Sequence, residues 1–468
     1  MDDTLFTTAP GRERLAAEWL PSWLQTRRWF GAKDRIIRQC EIVRQVPIGP
    51  AWLCAVEVKF EDSTSEIYII PLTCVPSAEA AAVVATVNGD VLVDATHVPE
   101  FRAALFRMIA GEELVPGIVS DHDPELRAML PESQPSKVLA VEQSNTSLVY
   151  DDRLFVKLFR KLENGLSVDV EMTRFLSRDA AFVHVPRFHA ALSWAGASLA
   201  LVTDFEPDSI DGWKLAFGYF RLWSSEPSAP AEWKNLARKL GERTGEMHAL
   251  LARPTEDPDF SPRTLDAEDV RAMMVAMLET ARNAAESLSG DTLELTPEAA
   301  AIFPEFLTAL DGMRSIRRLM NRIEQLPPAG IKTRVHGDYH LGQVLYARED
   351  FLITDFEGEP LRTLNERRKK QPAVRDVAGM LRSFHYAAHA ARGEESPEIA
   401  DERAAEAGRA FLNGWRAKVA GSGSESEQML PIFLIEKAFY ELSYEMRHRP
   451  EWVHIPLRGL LTLCRGLV

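Results

Sequence analysis

Two short motifs place acidic and amide side chains directly beside runs of branched apolar residues. In "VHGDYHLGQVL", Asp338 and Gln343 are five positions apart, and in "LITDFEGEP", Asp355 and Glu357 follow the next apolar run. One carboxylate can accept a hydroxyl proton while oxygen ligands one loop away hold a hard cation that bridges phosphates. The types and the spacing of these residues therefore indicate phosphoryl transfer.

Residues upstream of these motifs are typical of a phosphate site. Lys157 lies in the apolar segment "LFVKLF", where an ammonium is costly unless it is paired, and Glu171 on the next predicted helix can supply the pairing. The polar run "EQSNTS" predicts a tight turn between strands that contacts phosphate. These are the parts of a phosphoryl-transfer site in a kinase-like fold. The turn residues assigned to nucleotide binding are Ser144, Asn145, Thr146 and Ser147.

The elements that must position these residues change in type along the chain. Alternating segments such as "AWLCAVEVKF" and "EIYIIPLT" predict antiparallel strands, and Asn88-Gly89 predicts a hairpin turn. From "EWKNLARKL" onward the periodicity is mostly that of amphipathic helices. We therefore expect a small mixed domain at 1–90, further strands of the same lobe at 91–206, and a helical lobe at 207–468.

Composition excludes several classes of function. The chain has 468 residues with 54 basic and 69 acidic side chains, and its net charge of -15 argues against a nucleic-acid partner. The four cysteines lack a CxxC spacing, so we expect buried thiols and neither a disulfide framework nor a zinc site. Because no signal peptide or membrane-spanning run is predicted, we expect no membrane partner and a cytoplasmic location.

Several stretches resemble the maltokinases, which are relatives of the aminoglycoside and choline phosphotransferases. "HGDYHLGQVL", "DFEGEP" and "RDVAGMLRSFHYAAH" are similar to motifs of the kinase group. More specific are "QTRRWFGAKDR", which resembles part of the maltokinase cap domain, and "EKAFYELSYEMRHRPEWVHIPLRGL", which resembles the carboxyl-terminal signature of maltokinases, including those fused to trehalose synthase. The likeness runs from about residue 15 to the last residues.

This resemblance implies a fold and an activity. The fold is α+β and bilobed like a protein kinase, with an amino-terminal cap subdomain, a small β-rich N-lobe and a large helical C-lobe. The activity is ATP-dependent phosphorylation of maltose to maltose 1-phosphate, a precursor for α-glucan (glycogen) synthesis. The expected cofactors are ATP and Mg²⁺, and the expected partners are maltose or a similar small sugar and, as a candidate, trehalose synthase.

Each motif residue can then be given a role. Asp338 is the catalytic base, Lys157 contacts the ATP phosphates and pairs with Glu171, and Gln343 with Asp355 holds the metal. Gln343 occupies the place where protein kinases use asparagine, so its amide oxygen sits on a stem one methylene longer. The residues assigned to the substrate are His336, His340, Glu357, Lys437, Tyr440, Glu441 and Tyr444.

The last four substrate residues share one pattern. They recur three and four positions apart, which places them along one face of a helix, where charged groups can bond sugar hydroxyls and tyrosines can stack on pyranose rings. We interpret Asp376 in "RDVAGML" as a cap or loop anchor. Trp29 and Phe30 are expected in the core of the cap.

Three other readings stay open. The first is a kinase of another small sugar, an amino sugar or an aminoglycoside, although Lys437 and Arg447 on the terminal helix favour a neutral glycoside. The second is a non-catalytic kinase-like module of a trehalose synthase assembly, against which the intact set of Lys157, Asp338 and Asp355 speaks. The third is a metal-dependent hydrolase built on "HGDYH", whose glycine favours a loop over a metal-binding helix.

Overall fold

A computed structural model describes residues 4–129, 135–139, 144–288, 295–325, 330–360, 362–419 and 426–466. The chain divides into two compact units, Met1–Pro207 and Asp208–Val468. The first unit holds two six-stranded sheets, and the second is mostly helical. Among the described residues, no helix combines the length and the apolar character that a membrane crossing requires.

The first sheet of unit 1 is antiparallel, with the order β1-β2-β3-β5-β4. Asn88 and Gly89 both have positive φ between β4 and β5, as a two-residue hairpin turn requires, so the predicted turn is confirmed. Trp29 and Phe30 are buried in the core of this sheet against Tyr68, as expected. The strands are β1 (Ile37–Ile48), β2 (Ala51–Phe60), β3 (Ser65–Val75), β4 (Val83–Val87) and β5 (Asp90–Asp94).

Three short helices precede this sheet. They are α1 (Thr4–Thr7), α2 (Ala9–Arg14) and α3 (Leu20–Gln25), and a π-helical segment, Leu15–Trp19, joins the last two. Because β5 runs to Asp94, a domain limit at residue 90 would fall at the start of a paired strand. The limit of the cap subdomain is therefore better placed after residue 94.

The second sheet of unit 1 is also antiparallel, with the order β6-β11-β12-β9-β8-β7. Asp151 and Asp152 have positive φ in the tight turn between β8 and β9, which places Lys157 opposite Ser147. The two-residue strand β10 then pairs with β3, so the chain passes from the second sheet directly into the first. The strands are β6 (Ile118–His122), β7 (Ser136–Val138), β8 (Thr146–Tyr150), β9 (Leu154–Leu158), β10 (Lys161–Leu162), β11 (Phe188–Trp194) and β12 (Ala197–Asp204).

Two helices accompany the second sheet. Helix α4 (Pro99–Ile109) supplies buried apolar residues to the core that the two sheets share. Ser167 is the N-cap of helix α5 (Val168–Arg174), and its hydroxyl accepts a hydrogen bond from the Asp169 amide. This hydrogen bond at the N-terminus of α5 fixes the start of the helix on which Asp169 and Glu171 lie.

Unit 2 consists of helices around two small sheets, β13-β16-β17 and β14-β15. The strands are β13 (Ile210–Asp211), β14 (Arg263–Thr264), β15 (Ile331–Lys332), β16 (Val344–Ala347) and β17 (Asp350–Ile353). The helices are α6 (Gly212–Leu222), α7 (Ala229–Leu251), α8 (Ala267–Leu288), α9 (Pro297–Leu310), α10 (Arg314–Glu324), α11 (Leu364–Arg367), α12 (Val374–Ala391), α13 (Pro397–Arg416), α14 (Leu430–His448) and α15 (His454–Arg465).

Helices α7 and α13 approach each other backbone to backbone. A Cβ added at Gly241 would lie 2.0 Å from the carbonyl oxygen of Phe411, and one added at Gly414 would lie 2.0 Å from that of Arg238. Glycine is therefore required at both positions for this packing. The close contact brings His248 of α7 beside Trp415 of α13, a pair that supports the site described next.

Candidate active site

The buried carboxylate of Asp376 on α12 binds the backbone of the loop that carries Asp338. Asp376 accepts hydrogen bonds from the backbone amides of His336 at 2.8 Å and Gly337 at 3.0 Å. It also accepts one from His248 Nε2 at 3.1 Å. Burial opposes ionisation, but these partners keep the pKa of Asp376 below its usual range. Asp376 thus occupies the position of a loop anchor.

Sequence reasoning missed the groups that complete this anchor. Trp415 Nε1 donates to His248 Nδ1 at 2.9 Å, which leaves the imidazole proton on Nε2, directed at Asp376. Ser383 Oγ accepts from the amide of Leu341 at 3.0 Å. At Gly379, a Cβ would lie 2.4 Å from the carbonyl oxygen of Tyr339, so α12 touches the loop directly. Gly379 and Ser383 lie in the quoted stretch "RDVAGMLRSFHYAAH", in which only Asp376 was given a role, and His248 and Trp415 lie outside the quoted motifs.

Asp338 itself faces a lysine from the carboxyl-terminal helix α14. Lys437 Nζ donates to Asp338 Oδ1 at 2.9 Å and lies 3.7 Å from Glu359 Oε1. Burial alone would raise the pKa of Asp338, but the charge of Lys437 lowers it to about 2. Burial likewise opposes the charge of Lys437, while Asp338 and Glu359 raise the pKa of its ammonium. Both groups are therefore ionised at neutral pH.

His340 approaches the second oxygen of Asp338. Its Nδ1 accepts a hydrogen bond from the Gly342 amide at 3.1 Å, so in the neutral ring the proton lies on Nε2. Nε2 is 3.9 Å from Asp338 Oδ2. Burial lowers the pKa of His340, and the ring is neutral at pH 7. His340 thus presents a neutral N–H toward the carboxylate of Asp338.

His336 does not fit the substrate role predicted for it. The residue is 1% exposed, its Nε2 donates to the carbonyl oxygen of Thr354 at 2.9 Å, and its ring packs on Tyr339 and Phe356. A buried imidazole in this position ties the Asp338 loop to the end of β17. We therefore interpret His336 as a residue that joins two loops and not as a substrate contact.

The predicted metal ligands are brought together by the β16-β17 hairpin. Thr354 donates its backbone amide to the carbonyl oxygen of Gln343 at 2.9 Å, which sets Gln343 beside the segment that carries Asp355. Asp355 has φ 63, a left-handed conformation that is unusual for a residue with a side chain. Such strain is found mainly at functional sites, where the surrounding structure maintains it.

The donor set at this hairpin fits a magnesium ion. A carboxylate oxygen of Asp355 and one of Glu357 lie within 4.8 Å of each other. Two carboxylates and the amide of Gln343 are all hard oxygen donors, which Mg²⁺ prefers. Glu357, which was assigned to the substrate, thus lies where it can share the metal with Asp355.

Asp338 opens into a cleft lined largely by charged side chains. Asp338, Glu359 and Glu436 contribute the negative charges, and Lys437, Arg362 and Arg375 the positive ones. Tyr440 and Phe433 supply aromatic surface, and the ammonium of Lys437 lies 5.0 Å from the centre of the Tyr440 ring. The other described lining residues are Thr280, Gly337, Tyr339 and Gly379.

The face of α14 that lines the cleft differs from the predicted face. Lys437 and Tyr440 line it as expected, and Phe433 and Glu436 join them one turn earlier. Glu441 instead accepts a hydrogen bond from Arg382 at 2.8 Å. Tyr444 is 41% exposed and packs on His448. The predicted contacts of Glu441 and Tyr444 with sugar therefore remain predictions.

In unit 1, the buried ammonium of Lys157 on β9 forms an ion pair with a carboxylate of helix α5. Lys157 Nζ donates to Asp169 Oδ2 at 2.8 Å, and the two side chains are only 9% and 3% exposed. Sequence reasoning named Glu171 as the partner, two positions further along α5. The structure adds Asp169 as a partner that was missed, and the pairing with Glu171 stays a prediction.

The predicted phosphate-binding turn is partly occupied by structural contacts. Thr146 and Ser147 already belong to β8, and the hydroxyl of Thr146 accepts a hydrogen bond from the buried Arg160 at 2.7 Å. The hydroxyl keeps its own proton to donate, so the predicted phosphate contact of Thr146 stays a prediction. Asn145 donates to the exposed Ser144 at 3.2 Å. Residues 142 and 143 of the turn lie outside the described residues.

The region that contains the first sheet is similar to a known domain family. Residues 23–97 match the maltokinase N-terminal cap domain. This part of the chain is similar to the cap domain of maltokinases. The predicted resemblance is thereby confirmed, and the match ends close to the end of β5, where the cap sheet also ends.

Two curated relatives are similar to most of the chain. A glucosamine kinase from Streptacidiphilus jiangxiensis is 29% identical over 344 residues, which are 69% of this chain and 72% of the relative. A glucosamine kinase from Mycolicibacterium smegmatis is 27% identical over 340 residues, which are 69% of this chain and 78% of the relative. Together with the cap, these relatives identify the chain as a kinase.

Solved structures confirm the expected fold. A glucosamine kinase in complex with glucosamine, ADP and inorganic phosphate superimposes with a TM-score of 0.69, and a second crystal form of a glucosamine kinase with 0.72. Both are 22% identical and cover 96% of this chain, with 98% and 99% of their own lengths. The kinase-like α+β fold, with a cap, a β-sheet N-lobe and a helical C-terminal region, is therefore as predicted.

Proposed function

We propose that this kinase transfers the γ-phosphoryl group of ATP to the anomeric hydroxyl of maltose and forms maltose 1-phosphate. The observation that carries the choice of a neutral sugar is the charge balance of the cleft beside Asp338. Each carboxylate that lines the described part of this cleft has a cationic partner. A neutral glycoside can bond such paired groups without adding a charge.

The pairing is specific and mostly buried. Lys437 neutralises Asp338, and Arg362 and Arg375 both contact Glu359 and Glu436. The Arg375 contacts are 3.5 Å to Glu359 and 3.4 Å to Glu436. Burial would raise the pKa of Glu359, but its three cationic neighbours keep it lowered. An ammonium group on the sugar would have to compete with a fixed arginine or lysine for every carboxylate.

The residues around Asp338 suit a transfer with little covalent help from the protein. The carboxylate is ionised, so it can accept a hydrogen bond from the sugar hydroxyl and orient its oxygen toward phosphorus. Asp338 is ionised at neutral pH, so it can take the hydroxyl proton as the bond from sugar oxygen to phosphorus forms. The bond from phosphorus to the ADP oxygen breaks, and ADP leaves.

The charged neighbours divide the remaining work. When Mg²⁺ is bound, it neutralises phosphate charge, and Asp355, Glu357 and Gln343 are the residues that would hold it. Lys157 would contact the phosphates of ATP. Tyr440 offers an aromatic face for a pyranose ring near Lys437. The product would be a precursor for α-glucan synthesis, and trehalose synthase is the candidate partner that supplies maltose.

A second candidate is an amino-sugar kinase. It is favoured by one observation, namely that the two curated relatives are both glucosamine kinases. The two candidates differ in what the cleft must bind, since glucosamine carries an ammonium at neutral pH and maltose carries no charge. Substrate choice therefore separates them directly.

The test is a substrate panel with ATP and Mg²⁺. Maltose, glucose, trehalose and glucosamine are compared by kcat/KM, and the product is examined for loss of its reducing end. Phosphorylation of maltose at the anomeric hydroxyl removes the reducing end, whereas phosphorylation at any other hydroxyl leaves it. A preference for glucosamine, or a phosphorylated maltose that still reduces copper, would overturn the proposal.

A further inference from the structure

Arg160 lies at the junction between the two sheets of unit 1. It comes three residues after Lys157, at the point where the chain leaves β9 and enters β10. The residue is 1% exposed, which is rare for an arginine unless all its donors are engaged. Its surroundings therefore determine what it does.

The guanidinium of Arg160 bonds both sheets at once. On the side of the second sheet, Nε donates to Thr146 Oγ1 at 2.7 Å. On the cap side, one terminal nitrogen donates to Asp94 Oδ2 at 2.6 Å and lies 3.3 Å from Thr96 Oγ1, and the other donates to the carbonyl oxygen of Ile69 at 3.3 Å. Arg160 is thus a bridge between the cap sheet and the start of β8.

The cap holds its part of this bridge rigidly. The second oxygen of Asp94 accepts from both the backbone amide and the hydroxyl of Thr96, at 3.0 and 2.7 Å. The amide of Ile69 donates to the carbonyl oxygen of Arg160 at 2.7 Å. The guanidinium also lies 4.7 Å from the centre of the Trp29 ring, within the "RRWFGAK" stretch of the cap.

The bridge lies next to Lys157, both along the chain and on the neighbouring strand. In the β8-β9 pair, Ser147 is opposite Lys157 and Thr146 is opposite Leu158. Arg160 therefore fixes the strand that carries Lys157 and, through Thr146, the neighbouring strand beside it. A displacement of the cap sheet would therefore move both strands and, with them, the ammonium of Lys157.

We propose that Arg160 is a positioning residue through which the cap domain sets the affinity for nucleotide. This inference rests on the proposed function, in which Lys157 contacts the phosphates of ATP. The cap then acts on the nucleotide without touching it. Only arginine can perform the task, because it presents several donors in a fixed planar fork, whereas lysine presents a single point charge.

The test compares Arg160→Lys, Asp94→Asn and Thr96→Val with a matched control. Arg102→Lys is the control, since Arg102 is also buried in unit 1 and bonds Ser136 and the Thr96 carbonyl, but within the described residues it bonds neither Asp94 nor Thr146. Binding of ATP and ADP is measured by calorimetry without sugar. Steady-state constants for ATP and for sugar, and the melting temperature, are measured for each protein.

We expect Arg160→Lys and Asp94→Asn to weaken nucleotide binding about tenfold, which is about 1.4 kcal/mol, while the KM for sugar stays within about twofold. Thr96→Val, which removes one hydroxyl, should weaken it about threefold. Arg102→Lys should lower the melting temperature but leave nucleotide affinity within about twofold. This split separates positioning from a general loss of stability.

Two results would overturn the inference. One is unchanged nucleotide affinity in folded Asp94→Asn and Thr96→Val, which decides the matter even if Arg160→Lys does not fold. The other is an equal loss of nucleotide affinity in the Arg102→Lys control. If the parent protein itself bound no nucleotide, the proposed function would fail, and that outcome is visible before any variant is made.

Discussion

Each unit of this kinase pairs a lysine with an aspartate, and the two pairs differ in burial and in origin. Lys157 and Asp169 are 12 residues apart and almost fully buried. Lys437 and Asp338 are 99 residues apart, and their side chains are 18% and 19% exposed in an open cleft. The first pair is closed and local, whereas the second is formed by tertiary packing and lines the cleft.

The difference in burial indicates a different role for each pair. A closed pair fixes a charge in place, and breaking it leaves a buried charge without compensation. An open pair keeps a carboxylate ionised and lets its partner exchange contacts with a ligand. We therefore expect the first pair to respond to mutation mainly in stability and nucleotide use, and the second mainly in turnover and sugar use.

The largest effect is expected from the carboxylate of the open pair. Asp338→Asn removes the proton acceptor while keeping the shape of the side chain, so kcat should fall by about 10²- to 10⁴-fold. Nucleotide affinity, measured by calorimetry, should be unchanged. Asp62→Asn, at an exposed ion pair with Arg35, is a control that should keep parental turnover. An Asp338→Asn enzyme with near-parental kcat would exclude Asp338 from the mechanism.

The closed pair is tested by comparing its two candidate acids. Asp169→Asn removes the carboxylate 2.8 Å from Lys157, so we expect a loss of about 3 kcal/mol in the free energy of unfolding and a higher KM for ATP. Glu171→Gln should have a smaller effect on both. Denaturant unfolding and ATP kinetics give the two readouts. If Glu171→Gln had the larger effect, the sequence-based partner would be the correct one.

The cation of the open pair should show a specific pH effect. Lys437 holds the pKa of Asp338 at about 2, so Lys437→Met should let that pKa rise toward the ordinary value of about 4. The acidic limb of the kcat profile should then appear at higher pH in the variant than in the parent. At pH 7, kcat/KM for sugar should fall roughly tenfold. A variant whose acidic limb coincides with that of the parent would contradict this electrostatic coupling.

A cluster away from the cleft predicts a smaller, purely structural pH effect. The Nε2 atoms of His385 and His389 contact Asp401 Oδ1 at 3.2 and 2.9 Å. Burial lowers the pKa of His385 to about 3 and also lowers that of His389. Both histidines therefore bind protons more readily in the unfolded chain, so their stability contribution is complete above about pH 6.5 and is lost as the pH falls toward 3.

The size of this effect follows from proton linkage. The slope is at most about 1.4 kcal/mol per pH unit for each proton. Melting temperatures between pH 4 and 8 give the measurement, and the double variant His385→Gln, His389→Gln should flatten the curve. The exposed His448→Gln serves as the control. An unchanged slope in the double variant would assign the acid sensitivity to other groups.

Local patterns in the sequence were sufficient to predict several helices and strands and to recognise the motifs in their order along the chain. The Asn88-Gly89 hairpin, the strand around Lys157 and the helix Leu430–His448 each depend on propensities and periodicities within a few residues. The kinase-like fold was expected from the order of the motifs, and the cap was expected from the resemblance of "QTRRWFGAKDR" to maltokinases. The roles of Asp338, Gln343 and Asp355 were predicted from residue type and spacing and stay predictions.

Only the tertiary structure decided which partner each side chain takes. Asp169 and Glu171 lie on one helix turn, and the position of that helix beside β9 brings Asp169 to Lys157. The sequence predicts Thr146 as a phosphate ligand, and only the structure shows that its hydroxyl also accepts a hydrogen bond from Arg160. Similarly, the rotation of α14 places Phe433 and Glu436 in the cleft. Propensities act over a few residues, whereas pairing of buried charges depends on packing between segments far apart in the chain.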